Sequence, residues 1–173
     1  MVKIEEAFHF RNAVISDTEP IWQILQQAIE RRKKDGSNQW QDGYPNLETV
    51  ENDIKRNFGF VLESGNQIMA YAALIYEAER AYEVIDGKWL STGKYAVVHR
   101  VAVSDKIAGK GIATQVFKEI EKMVISKKIF SIKVDTNFDN IPLLKILNKL
   151  NYTYCGEVYF RGSARKAFEK ILR

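Results

Sequence analysis

One stretch, residues 95–127, constrains the fold of this chain more than any other. It opens with a valine-rich apolar run over residues 95–103, which is typical of a buried β-strand. A polar loop that contains Gly109 and Gly111 follows. From Ile112 onward apolar residues recur every three or four positions, a spacing that predicts an amphipathic helix with one face against a sheet. The order of strand, glycine-bearing loop and helix therefore predicts an α/β fold.

The glycines of this loop also suggest a chemical role. The first amides of a helix lack intrahelical acceptors and carry partial positive charge, and glycine lets a bulky anion approach them. The sequence therefore predicts an anion site, suited to a pyrophosphate, at the start of the helix. A P-loop needs Ser or Thr after its lysine, but Lys110 is followed by Gly111, and Thr114 stands where a dinucleotide fingerprint has its third glycine. The alternative is an ordinary strand-to-helix turn.

The loop resembles the acetyl-CoA-binding loop of the GNAT superfamily of acyl-CoA-dependent N-acyltransferases. The family pattern, Gln/Arg-x-x-Gly-x-Gly/Ala, aligns with residues 108–113. Ala108 replaces the usual Gln or Arg, which removes a side-chain contact but leaves the backbone amides. The resemblance implies that acetyl-CoA is bound by the strand and loop residues Val101, Ala102, Val103, Ala108, Gly109, Lys110, Gly111, Ile112, Ala113 and Thr114.

The second half of the chain resembles the family as well. Asn140 aligns with an asparagine that contacts the pantetheine or the coenzyme A chain, although an N-cap ahead of a helix explains it equally well. Leu147 stands where many relatives carry a tyrosine that protonates the leaving thiolate. That role is therefore absent or moved, with Tyr152, Tyr154 or a water as alternatives. Asn151 replaces the usual glycine after the helix, which the left-handed conformation tolerates.

Acetyl transfer to an amine needs a base for the amine proton and hydrogen-bond donors for the oxyanion. The resemblance implies that backbone N–H groups near Val101 polarise the thioester carbonyl. The candidate catalytic residues are Glu77, Glu79, His99 and Tyr152. For His99 the alternative is a satisfied core residue of a valine-rich strand. A lone cysteine in an apolar strand, Cys155, is expected to be buried and inert.

The polar segment of residues 36–45 contains two aromatic side chains, Trp40 and Tyr44, which we predict to bind the acceptor substrate. The alternative is that both close the edge of the core. The basic run at residues 31–34 is interpreted as the solvated last turn of a helix rather than a nucleic-acid patch.

Composition sets the remaining bounds. A chain of 173 residues with 46% hydrophobic and 28% charged residues suits one soluble domain, predicted to span residues 1–173. A net charge of +4 with scattered basic residues favours an anionic ligand over nucleic acid. One cysteine, no signal-peptide core and no long apolar run predict a cytoplasmic protein without a membrane partner. No metal site is predicted, and a homodimer is left open.

The rest of the pattern predicts a first strand near residues 8–13, helices from Asp17 and Leu47, and a hairpin turning at residues 64–66. A fifth strand at residues 129–134, a further helix and two closing strands follow. The predicted fold is α/β, with a GNAT-like mixed central sheet that is splayed between the fourth and fifth strands and flanked by helices.

Two functions follow from these observations. The first is an acetyl-CoA-dependent N-acetyltransferase, whose acceptor is an amine of a small molecule or a protein. The alternative is a non-catalytic sensor that binds acyl-CoA, a hypothesis motivated by Leu147.

Overall fold

The structure is a computed structural model and describes residues 7–173. Within them, the α-helices are α1 (Thr18–Lys34), α2 (Leu47–Lys55), α3 (Ile112–Ser126) and α4 (Ile141–Lys149). The strands are β1 (His9–Asn12), β2 (Gly59–Ser64), β3 (Gln67–Ile75), β4 (Asp86–Gly87), β5 (Ala96–Val103), β6 (Ser131–Thr136), β7 (Thr153–Phe160) and β8 (Ser163–Ile171). The predicted α/β order is confirmed.

The strands form a mixed sheet in the order β1-β2-β3-β5-β6-β8-β7-β4. Strands β5 and β6 run parallel, and their register pairs extend from Ala96–Ile132 to Val98–Val134. Both strands continue beyond Val98 and Val134, but in the described residues the register of this pair stops there. The predicted splay is therefore confirmed; it falls between β5 and β6 because the short β4 adds one strand to the count.

Helix α1 starts after Asp17, as predicted, with Pro20 in its first turn, where a missing N–H costs no hydrogen bond. The side chain of Asp17 makes no cap hydrogen bond to α1. Its carboxylate instead accepts from the Val14 amide at 2.8 Å and from Arg11 at 2.7 Å. The predicted N-cap position is correct, but the Asp17 side chain pairs with Arg11 instead of capping α1.

By its backbone contacts the chain divides into two compact units, which we describe separately. The first comprises Met1–Ala73, described from residue 7 onward, and Arg100–Val116. Its core lies where α1 and α2 turn apolar faces toward β2 and β3. The central side chains of this core are fully buried: Ile21, Leu25, Val50, Val61 and Tyr71.

The second unit comprises Leu74–His99 and Phe117–Arg173. One of its cores contains Tyr82, Val97, Val158 and Ala167. Trp89 is half-buried against this core and donates from Nε1 to the Tyr82 carbonyl at 2.8 Å. The indole thus has both an apolar surface and a hydrogen-bond acceptor here. No helix within residues 7–173 has the length and apolar character that a membrane span requires.

Candidate functional site

The glycine loop between β5 and α3 is anchored at its base. The Ser104 amide donates to Met69 O at 2.9 Å. Arg31, from the last turn of α1, donates to Val103 O at 3.0 Å and also to the Asp105 carboxylate. Residues 31–34 form the last turn of α1, as predicted, but Arg31 is not simply solvated, since its planar guanidinium bridges a carbonyl and a carboxylate at this loop.

Above this base the two glycines are open. Gly109 and Gly111 have φ angles of +80° and +74°, which glycine adopts without strain. Both are exposed, and a Cβ added to either would meet no atom within 4 Å. Helix α3 begins at the next residue, Ile112, so its first amides lie beside the open glycines. These features fit a pyrophosphate, because backbone donors, the positive end of a helix and free space occur together.

Strand β5 also carries a left-handed residue that is not glycine. Arg100 has φ +54°, and its guanidinium binds the Asp53 carboxylate of α2 at 2.9 Å from Nε and 2.6 Å from Nη2. Arg100 Nη1 donates to Tyr44 Oη at 2.6 Å, and Tyr71 Oη donates to Asp53 at 2.5 Å. These four side chains form the Arg100 cluster, which lies wholly in the first unit.

Charge and burial act together in the Arg100 cluster. Burial, followed by the Asp53 carboxylate, raises the pKa of the Tyr71 phenol well above its ordinary value. Burial alone would lower the pKa of Arg100, but Tyr44 and Asp53 raise it instead. Trp40, the other predicted acceptor residue, is half-buried and packs against the apolar core of the first unit.

The second unit contains a separate ionisable group around His99. Its Nε2 lies 3.4 Å from Glu79 Oε2, and its Nδ1 lies 3.8 Å from Asp135 Oδ1. The exposed fractions of the side chains are 16% for His99, 28% for Glu79 and 8% for Asp135. Tyr82 donates from Oη to Asp135 Oδ1 at 2.5 Å, and Tyr95 Oη accepts from the Glu79 amide at 3.0 Å. We call these five residues the His99 cluster.

A buried carboxylate holds the segment that precedes β5. Glu169 of β8 is fully buried and accepts from Leu90 N at 2.5 Å, from Ser131 Oγ at 2.6 Å, and from the amide and hydroxyl of Ser91. Each Glu169 oxygen thus has donors, which offsets the cost of burying its charge. The segment around Ser91 is tied to β8.

A buried lysine supports the same segment. Lys133 is 4% exposed, and its Nζ lies 4.3 Å from the centre of the Trp89 ring and 3.9 Å from that of Tyr95. Both distances suit a cation–π contact. Burial lowers the pKa of Lys133, and the carboxylate of Glu169 opposes that effect.

Comparison with known proteins decides the family. The model of the acetyltransferase (GNAT) family matches residues 22–152, a range that includes the glycine loop, His99 and Arg100. The chain belongs to the GNAT acetyltransferase family. It is therefore an acyltransferase enzyme, and the predicted resemblance is confirmed.

Individual relatives agree with this assignment. A GNAT-family acetyltransferase of Streptococcus agalactiae, known from its crystal structure, is 33% identical, with 96% of each chain covered and a TM-score of 0.88. The Bacillus subtilis protein called uncharacterized N-acetyltransferase YesJ is 25% identical over 158 residues, which cover 88% of this chain and 86% of that protein. The structure of yncA from Salmonella typhimurium, a putative acetyltransferase with its cofactor acetyl-CoA, shares the fold at 13% identity, with a TM-score of 0.67 and coverage of 96% and 95%.

The predicted catalytic residues of this GNAT acetyltransferase occupy different environments. Glu79 and His99 are in contact, whereas Glu77 is exposed. Tyr152 is 6% exposed, and burial raises the pKa of its phenol, with a further contribution from the Glu121 carboxylate. Leu147 is fully buried, so in this structure its side chain belongs to the interior of the second unit.

Two further predicted residues have structural partners. Asn140 lies at the N-cap of α4, and its Oδ1 accepts from the Leu143 amide at 3.4 Å. This contact supports the N-cap explanation and leaves cofactor binding by Asn140 a prediction. Cys155 is buried, and burial raises the pKa of its thiol, as an inert cysteine requires.

Sequence reasoning missed the acidic partners, Asp53 and Asp135, and the hydroxyl donor Tyr82. One signal was available: His99 and Arg100 interrupt an apolar strand, and charged groups in such strands need partners. The identity of the partners was not readable, because Asp53 is 47 residues from Arg100 and Asp135 is 36 residues from His99 along the chain.

Proposed function

We propose that this GNAT acetyltransferase transfers the acetyl group of acetyl-CoA to a primary amine of a small molecule or a protein. The observation that carries the proposal is the pair of open, left-handed glycines, Gly109 and Gly111, at the start of α3. The acetyl-CoA named with the Salmonella typhimurium structure supports the same donor.

The glycine loop would hold acetyl-CoA by its pyrophosphate. Backbone amides of residues 109–114 would donate to the phosphate oxygens, and the positive end of α3 would stabilise their charge. The backbone of residues 101–103 would pair with the pantetheine arm. The loop base, fixed by Arg31, reduces the ordering that binding would otherwise require.

For the proton of the amine we propose the Glu79–His99 pair. A primary amine arrives mainly as an ammonium ion near neutral pH and attacks only after it loses a proton. Glu79 Oε2 and His99 Nε2 lie 3.4 Å apart, and Glu79 is partly open to solvent, so the pair can accept that proton and release it. Glu77 and Tyr152 remain the alternatives among the predicted residues.

The backbone amide of Val101 is proposed to stabilise the negative charge that develops on the carbonyl oxygen. It follows Arg100, whose left-handed φ interrupts the extended backbone of β5. A donor fixed in this way needs no reorganisation when the charge appears.

The test is thiol release from acetyl-CoA in the presence of a panel of primary amines, with calorimetric titration of acetyl-CoA alone. Turnover with at least one amine and an acetylated product by mass spectrometry are expected. Binding without turnover would favour the acyl-CoA sensor instead. Absence of binding would overturn both readings of the glycine loop. His99→Ala should reduce kcat by about a hundredfold or more if the pair is the base.

Four further points stay predictions: the identity of the acceptor, a cytoplasmic location, the absence of nucleic-acid and membrane partners, and a homodimer.

A further inference from the structure

One oxygen in the His99 cluster faces two competing groups. Asp135 Oδ1 accepts the Tyr82 hydroxyl at 2.5 Å and lies 3.8 Å from His99 Nδ1. The first contact is a short hydrogen bond, whereas the second is beyond hydrogen-bond length. Asp135 Oδ1 is therefore hydrogen-bonded to the tyrosine, and at 3.8 Å His99 Nδ1 receives from it only a longer-range electrostatic attraction.

Tyr82 is well placed to remain the donor. Its side chain is 2% exposed, and burial, followed by the Asp135 carboxylate, raises the pKa of its phenol well above the ordinary value. The hydroxyl therefore keeps its proton across the pH range in which a histidine titrates. The Trp89 ring lies 5.1 Å from the Tyr82 ring and fixes its position.

The charged surroundings of His99 come from several elements. Glu79 follows β3 and faces Nε2, and Asp135 of β6 faces Nδ1. Tyr82, from the short helical turn Arg80–Glu83, and Phe160 of β7 contribute rings at 6.4 Å and 6.3 Å. Beyond them Tyr95 accepts from the Glu79 amide, and the Lys133 ammonium lies on the Tyr95 ring. Within the described residues, two carboxylates thus lie within 4 Å of the imidazole.

We propose that Tyr82 is a positioning residue that sets the proton affinity of His99 by occupying Asp135 Oδ1. A hydrogen bond from the hydroxyl stabilises the carboxylate charge and keeps that oxygen from pairing with imidazolium Nδ1. Without the hydroxyl, Asp135 would turn to Nδ1 and stabilise the protonated histidine. Tyr82 thereby limits the pairing of Asp135 with the imidazole, and the consequence for catalysis rests on the proposed role of the Glu79–His99 pair.

The direct experiment is an NMR titration of the imidazole signals in wild type and Tyr82→Phe. The sequence has 2 histidines, so His9 supplies an internal reference in the same sample. Tyr82→Phe should move the His99 titration midpoint upward by about half a pH unit or more, because one oxygen is freed for Nδ1. The midpoint of His9 should not move. An unchanged or lower His99 midpoint in the folded variant would overturn the proposal.

Two further variants sharpen the test. Asp135→Asn removes the charge itself and should move the His99 midpoint downward, opposite to Tyr82→Phe; an upward shift would contradict the proposal even if Tyr82→Phe fails to fold. Tyr95→Phe removes a hydroxyl from the same cluster without touching Asp135, and should leave the midpoint within error. An equal upward shift in Tyr95→Phe would show a general effect of lost hydroxyls and would overturn the specific role of Tyr82.

Activity links this inference to the reaction and separates the two failures. In Tyr82→Phe the acid limb of the kcat/KM profile should move upward by the same amount as the NMR midpoint, with little loss on the plateau. If His99→Ala keeps wild-type activity, the proposed proton acceptor is wrong. The NMR midpoints of wild type and Tyr82→Phe still test whether Tyr82 acts on His99 through Asp135. If His99→Ala is inactive and the Tyr82→Phe midpoint is unmoved, the failure belongs to Tyr82 alone.

Discussion

His99 and Arg100 are consecutive residues of β5, yet each is the centre of a different polar cluster. His99 lies between Glu79 and Asp135 in the second unit, and Arg100 binds Asp53, Tyr44 and indirectly Tyr71 in the first. The left-handed backbone of Arg100, with φ +54°, breaks the alternation of the strand at this point. A conformation of this kind costs about 1–3 kcal/mol and persists only where surrounding contacts hold it.

Asp53→Asn should lower the free energy of unfolding by about 3 kcal/mol or more, because it leaves the buried Arg100 guanidinium without its counter-charge. Denaturant unfolding measures the change. Glu51→Gln removes an exposed carboxylate from the same helix and should change stability by less than about 0.5 kcal/mol. Equal effects of the two substitutions would show that the Arg100–Asp53 ion pair does not contribute the predicted stability.

Gly111→Asp should weaken acetyl-CoA binding severely while the protein stays folded, because a carboxylate would stand beside the amides proposed for the pyrophosphate. Gly162→Asp is the matched control. Gly162 also has a left-handed φ, +75°, and open space around its Cβ position, but it lies in the turn between β7 and β8. Calorimetry on both variants separates backbone strain from charge repulsion. Wild-type affinity in Gly111→Asp would contradict the proposal that this loop binds acetyl-CoA.

Asn140→Ala should cost about 1 kcal/mol of stability, since it removes the side-chain acceptor at the start of α4. If Asn140 also contacts coenzyme A, the acetyl-CoA dissociation constant should rise by roughly fivefold. Asn46→Ala removes the equivalent cap of α2, where Oδ1 accepts from the Thr49 amide at 3.0 Å. The control should show the same stability loss with unchanged affinity. Unchanged affinity in both variants would restrict Asn140 to its capping role.

Tyr152→Phe should raise stability by about 1 kcal/mol, because in the described part of the chain the buried Tyr152 hydroxyl has no hydrogen-bond partner. The Phe117 ring, 5.9 Å away, would keep its aromatic contact. Tyr154→Phe changes an exposed side chain and should be neutral. Thermal unfolding and kcat are the measurements. A large fall in kcat with an intact fold would instead identify Tyr152 as the missing acid.

The ion-paired carboxylates of the first unit predict an acid-sensitive contribution to stability. Hydrogen bonds from Arg11 lower the pKa of Asp17 below its ordinary 3.8 and that of Glu63 below 4.5. Because both folded pKa values are depressed, this contribution is complete above about pH 4.5 and is lost as pH falls through the folded values. Arg11→Gln should flatten the pH dependence of unfolding free energy below pH 4.5, whereas exposed Lys55→Gln should not. If the pH dependence of unfolding free energy were the same in wild type and Arg11→Gln, the acid-sensitive contribution would not come from the Arg11 ion pairs.

Most of the fold was readable from the sequence because its elements carry strong local patterns. The valine-rich run before Gly109 and the apolar face of α3 depend on periodicity alone, and the glycine loop follows from their order. Local rules failed where a tertiary partner competed for a side chain. Asp17 could cap α1 but pairs with Arg11, and Trp89 lies in a polar segment but packs on a core.

The candidate site was predictable only in part. Glu79, just past the third strand, and His99, in the strand before the glycine loop, were candidates from the sequence, but their contact depends on how the segment between β3 and β5 folds back. Asp135 and Tyr82 belong to other elements, and no spacing in the sequence joins them to His99. The Arg100–Asp53 pair is equally nonlocal.

The buried Glu169 has a consequence for engineering this enzyme. Loop exchange is one route to engineered variants, and the segment around Ser91 lies in the connection between β4 and β5. Its amides and hydroxyl, however, neutralise a carboxylate that belongs to β8. If a foreign loop without those donors replaced this segment, the buried Glu169 carboxylate would lose its hydrogen-bond partners and this protein would be destabilised. The donors of this segment and the Glu169 carboxylate therefore depend on each other, and a chimaera must exchange both or neither.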